Sequence, residues 1–129
     1  GSDMLEAFRA AEEAGIDVAL VDQDIAVTLH RLKETPLREK LKFAGYLLLA
    51  PLLLPGTEFD LETVPEEEVV EEMLLRFEVG FPEMFRVLVE ERNAIMAERL
   101  RALEQEYEEV TAFVGAGHVE GLREELGLA

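Results

Sequence analysis

Two short apolar runs, far apart in the chain, constrain the fold more than any other feature. They are "DVALVD" (Asp17 to Asp22) and "VTAFVGAG" (Val110 to Gly117). Each is almost continuously apolar, and each ends at a polar residue or at glycine. A strand buried on both faces of a parallel sheet reads this way, because neither face needs polar residues. The residues between the two runs read as helices. A strand that returns to its sheet through helices implies parallel neighbours. The expected fold is therefore α/β and helix-rich, a short parallel sheet with several helices.

Two such strands leave their outer edges unpaired. Further strands, a larger fold or a second copy of the chain would have to cover them. A two-fold homodimer is the expectation, with association tightening as salt screens the formal net charge of −17.

Punctuation residues divide the rest. Met4 to Ala14 has helical propensity and Gly15 is a natural C-cap. Ile25 to Glu34 reads as a helix. Thr35 and Pro36 open another, as N-cap and first helical residue. The run Phe43 to Gly56 is too short for a comfortable membrane span, and Pro51 interrupts it, so a buried helix ending near Pro51 is expected. Gly56 to Glu68 reads as a loop, with Thr63 and Glu66 at capping-box spacing. Val69, Val70, Met73, Leu74 and Phe77 follow helical periodicity up to Gly80, and Pro82 to Glu109 reads as the longest helix. Gly1 and Ser2 read as a tag remnant, and residues 3–129 as a single domain.

Composition excludes several roles. With 29 acidic against 12 basic residues and no basic run, nucleic acid is not an expected partner. No cysteine is present, so disulfides and thiolate metal sites are ruled out.

Three places can carry chemistry. His118 follows Gly115 and Gly117 at the end of the second apolar run and the start of the last helix. Ligands collect at the carboxyl ends of parallel strands, and a helix N-terminus favours the neutral imidazole that binds metal. The plainer reading makes His118 a helix cap or a satisfied turn residue. On the long helix, the stripe Met84, Phe85, Leu88, Ile95, Met96, Leu100 and Leu103 should continue through positions 91 and 92, where the chain has Glu91 and Arg92. Charges there are either paired at the stripe's edge or put to use. Asp22 ends the first run, with Asp24, Thr28 and Arg31 following. Asp24 also fits as a helix N-cap, and His30 fits as a surface residue.

The segments "ALVDQDIAVTLHRL", "VLVEERNAIMAERL" and "VTAFVGAGHVEGL" together resemble the TraB/PrgY family, named for pheromone-shutdown proteins and related to the Tiki proteases. The family pattern has two Gly-x-x-His motifs. Gly115 and His118 match the second, Glu91, Arg92 and Asn93 match the helix motif, and Asp22, Asp24, Thr28 and Arg31 match the strand-helix motif. No glycine stands three residues before His30, so the first Gly-x-x-His is missing. The resemblance implies the C-terminal part of a larger TraB domain. In full length it implies a metal-dependent hydrolase or peptidase using manganese, cobalt or zinc, with His118 and Glu91 as metal ligands and Glu91, Arg92 and Asp22 as catalytic groups. It implies no bound metal in this fragment alone, which would be inactive. Membrane attachment would come only through segments outside this chain. The alternative is a non-catalytic module that sequesters a peptide.

Overall fold

The computed structural model describes residues 2–53 and 66–128. The expected Thr63 capping box lies outside them. Among the described residues seven α-helices follow in order: α1 (Ser2–Ala14), α2 (Ile25–Lys33), α3 (Leu37–Leu53), α4 (Glu67–Gly80), α5 (Pro82–Phe85), α6 (Glu91–Glu106) and α7 (Val119–Glu125). A π-helical turn, Arg86–Glu90, joins α5 to α6, and a 3₁₀ turn, Ala116–His118, leads into α7.

The expected parallel sheet is absent, and the described residues contain no strand. Both apolar runs lie outside the α-helices, the second ending in the 3₁₀ turn, and no backbone hydrogen bond joins them to each other. They pack on helices instead. Val21, Val110 and Val114 press onto a core of Met96, Ala97, Leu100 and Leu122 from α6 and α7. Neighbouring side chains face outward, with Leu20 91% and Phe113 60% exposed. A run of β-formers fits a helix surface as well as a sheet when only some of its side chains are covered. The first run is tied down by side chains: Arg99 donates to the carbonyl oxygens of Val21 and Asp22, and the Tyr107 hydroxyl donates to Asp17 at 2.9 Å.

A second, aromatic cluster joins α3 to α4 and α5. Phe43 and Phe77 meet Phe81 edge-on or tilted, with ring centroids 5.6 Å away in each case. Lys42 lies 5.0 Å above the Phe81 ring and donates to the Gly80 carbonyl. The start of α5 has Pro82 in its first turn and no side-chain cap of its own. Buried Glu39 of α3 fills that role, accepting from the Glu83 and Met84 amides at 3.1 and 3.3 Å. A carboxylate satisfies the free amides of a helix N-terminus and complements its dipole.

Several local expectations are corrected. Thr35 does not cap α3. It is buried and its hydroxyl donates to the Leu32 carbonyl, so it finishes α2. The Pro36 carbonyl accepts the first bonds of α3. That helix runs past Pro51, and its apolar residues are largely exposed, Leu48 at 75% among them. Gly15 ends α1 as expected, with φ +69° and the Ile16 amide donating back to the Ala11 carbonyl. The expected Pro82–Glu109 helix is broken by the π turn and ends at Glu106.

Replacing Met96, which is 2% exposed, by alanine should cost about 2–5 kcal/mol in chemical denaturation. Leu20→Ala, at a 91% exposed position, should stay within about 0.5 kcal/mol.

Candidate functional site

The site begins with the hydrogen-bond ladder of the long helix. At the π turn the Glu91 amide donates to the Arg86 carbonyl, five residues back rather than four. One extra residue in a turn rotates everything after it by roughly 100°. Before and within the turn the buried positions include Met84, Phe85 and Val87. After it they are Asn93, Met96, Ala97 and Leu100. The slot an uninterrupted α-helix gives to positions 91 and 92 therefore passes to Asn93. Glu91 and Arg92 sit at the edge of the buried stripe, their side chains 24% and 28% exposed. This explains the charges that interrupt the apolar pattern.

Three consecutive side chains reach three different elements. Glu91 turns to α2, where Arg31 donates to it from Nη2 at 2.7 Å and from Nε at 3.3 Å. Arg92 turns to the end of the first apolar run and donates to both oxygens of Asp22, from Nε at 3.1 Å and Nη2 at 2.6 Å. Its Nη1 also donates to the Leu88 carbonyl in the π turn. Asn93, 5% exposed, meets His118 with Oδ1 and Nδ1 2.7 Å apart. The amide oxygen can only accept, so Nδ1 carries the proton and donates. Among the described residues Nε2 of His118 has no hydrogen-bond partner.

The remaining sequence candidates serve the frame. Asp24 is the N-cap of α2, accepting from the Ala26 amide at 2.9 Å. Thr28 is buried and donates to Gln23 Oε1 at 2.9 Å. Arg31 also pairs with Glu34. His30 lies on the surface, 3.3 Å from Glu34. Gly115 and Gly117 both tolerate a Cβ, whose nearest neighbours would be 3.7 Å away, and neither has positive φ. Their expected role in tight backbone geometry is not seen. Asn93 as the imidazole's partner was hidden in the sequence, because the apolar stripe points to 91 and 92 until the π turn is known.

The electrostatics follow from these pairs. Arg92 holds the Asp22 carboxyl below its ordinary range, and Arg31 does the same for Glu91. The His118 imidazole lies below its ordinary value of 6.5, chiefly through burial and then through the charge of Arg92, against an opposing pull from Asp22. It is therefore neutral at neutral pH.

This geometry does not by itself close a metal centre. Catalytic zinc sites use three protein ligands. Among the described residues His118 offers one nitrogen without a partner, and Asp22 and Glu91 are both held by arginines. Among the described residues, the one cluster of ligand-type atoms is Glu67, Glu71 and Glu120, which excludes His118. The expected pair of His118 and Glu91 therefore does not fit a self-contained metal site.

The depressed imidazole has a signed consequence. Below 6.5 the unfolded chain takes up a proton that the folded chain refuses, so stability falls as pH drops from there through the folded value. Urea denaturation at about pH 7.5 and about pH 5.5 should show this loss, and His118→Gln should flatten it. Asp22 and Glu91 act lower, stabilising above their ordinary values of 3.8 and 4.5 and ceasing to as pH falls through the depressed ones.

No helix among the described residues is long and apolar enough to cross a membrane. No solved structure matches the chain. The uncharacterized protein MJ1365 of Methanocaldococcus jannaschii is 35% identical over 131 residues, which cover 95% of this chain and 31% of that protein. The chain thus spans about a third of the length of this relative. The model of the TraB/PrgY/gumN family matches residues 1–126, so the chain belongs to the TraB/PrgY/gumN family.

Proposed function

We propose that the chain is one part of a hydrolase that acts, in its full-length form, on peptides or small signalling molecules, and that His118 is its working base. One observation carries this reading: a half-buried, neutral imidazole whose Nδ1 is engaged by Asn93 while Nε2 has no hydrogen-bond partner among the described residues. A general base needs this arrangement. One nitrogen is fixed, so the ring cannot turn, and the other presents a lone pair to an attacking water or hydroxyl. As Nε2 takes the proton, the Asn93 oxygen keeps its bond to Nδ1–H and supports the positive ring. Arg92 engages both oxygens of Asp22, and the carboxylate stays charged to balance the positive ring that forms.

The metal dependence expected from the family resemblance is not built into this mechanism, because the residues described here do not close a metal site. Any divalent ion would need ligands beyond His118.

A second reading, a peptide-sequestering module without catalysis, is favoured by the state of the carboxylates. Asp22 and Glu91 each receive two donors from an arginine and are not free to attack or to abstract a proton.

The test is peptide hydrolysis by the full-length protein, with and without added manganese, cobalt or zinc. His118→Ala should lower turnover about 10²–10⁴-fold, the range for loss of a general base. Peptide binding with no turnover in either protein would favour the sequestering module. Calorimetry on the 129-residue chain alone should show no tight, stoichiometric zinc or manganese site.

A further inference from the structure

We infer that Gly121 is a positioning residue: its missing side chain is the space that lets Asn93 hold His118 in its Nδ1–H form. This rests on the reading of His118 as the working base, but its geometry stands apart from any activity.

Gly121 lies inside α7, three residues after His118, with negative φ. Conformation therefore does not require glycine there. A Cβ built on it would lie 2.2 Å from Asn93 Nδ2 and 3.2 Å from Asn93 Cγ. No carbon approaches an amide nitrogen that closely without displacement. The other glycines of the motif meet nothing closer than 3.7 Å. Alanine would also be the better residue by helix propensity, by about 0.5–1 kcal/mol. The chain thus has glycine at a helical position where local preference favours alanine, and the atom occupying the vacant space belongs to the imidazole's own partner.

The group that would clash is the tip of a side chain, so the backbone need not move. Asn93 can swing away. A cleft of about 350 Å³ opens beside it, lined by Asn93, Gly117, Gly121 and Phe85 among others. A methyl group at 121 would push the amide toward that cleft and break its 2.7 Å contact with His118. The fold would survive and the imidazole would lose its anchor. A free neutral imidazole in water favours the Nε2–H form, so release from Asn93 would move the proton to the nitrogen that must stay bare.

Nitrogen-15 NMR of the His118 ring at neutral pH in the 129-residue chain tests this. The wild-type chain should show the Nδ1–H pattern. Gly121→Ala should lose it while keeping its helical circular dichroism and its denaturation midpoint. Asn93→Ala should give the same change, and the double variant should match Asn93→Ala with no further shift. Retention of the Nδ1–H pattern in Gly121→Ala would overturn the inference. So would a further ring change when Gly121→Ala is added to Asn93→Ala, since Gly121 would then act on His118 by another route. A tautomer change without loss of turnover in the full-length protein would leave Gly121 as the positioning residue and remove the general-base reading instead.

Discussion

A single extra residue in the hydrogen-bond ladder at Arg86–Glu90 sets the directions of Glu91, Arg92 and Asn93, the side chains that tie the site together. Helix positions 91, 92 and 93 point roughly 100° apart, so three consecutive residues on an α-helix cannot all face one neighbour. Here they face three: α2, the first apolar run and the 3₁₀ turn that carries His118. The π turn assigns the inward position to Asn93 and leaves the two charged residues on either flank. Remove the slip, and a charge would point into the Met96 and Leu100 core while the amide turned outward. Desolvating an unpaired charge costs several kcal/mol, far more than one weakened helical bond. The apolar residues before and after the slip thus hold the π turn in place, and the π turn holds the site.

The two arginine–carboxylate pairs add little to stability. All four side chains are 24–46% exposed, and pairs of that kind contribute about 0.2–1 kcal/mol. Their effect is directional. Both are two-pronged, and both join residues 60 or 70 positions apart. Two-pronged bonds between planar groups fix angle as well as distance. They stitch α2 and the end of the first apolar run to the start of α6, the one stretch of helix whose rotation decides where Asn93 points.

Part of the local punctuation was legible in the sequence, though not the roles of Thr35 and Pro51, and long-range pairing was not. Asp24 as a cap, Gly15 as a helix end and the Gly80–Pro82 break each depend on a few neighbouring atoms, so the residue type alone decides them. The sheet failed because "DVALVD" and "VTAFVGAG" state only that the chain is extended and partly covered. Val21, Val110 and Val114 satisfy that requirement against α6 and α7, and nothing local distinguishes a helix surface from a strand neighbour. At the site, Glu91 and Arg92 stood out as charges on an apolar stripe, but their partners Arg31 and Asp22 could not be read from spacing. Gly115 and Gly117 drew attention by their motif. Gly121, the glycine with no room for a side chain, shows only when α7 is laid against Asn93.

The imidazole's neutrality depends on burial first and on Arg92 second. The Asp22 carboxylate favours the protonated form of His118. Burial acts the other way, and at His118 it is the larger influence. Burial alone would still leave Asp22, which pulls the imidazole toward its charged form. Arg92 sets a positive charge beside that carboxylate and so cancels most of its reach, while its own charge pushes the imidazole further toward neutrality. Arg31 ties up Glu91, the other carboxylate of the motif. Asp22, which looked like a catalytic group in the sequence, is therefore held by Arg92, and burial together with the charge of Arg92 keeps the imidazole neutral at the pH where a base is needed.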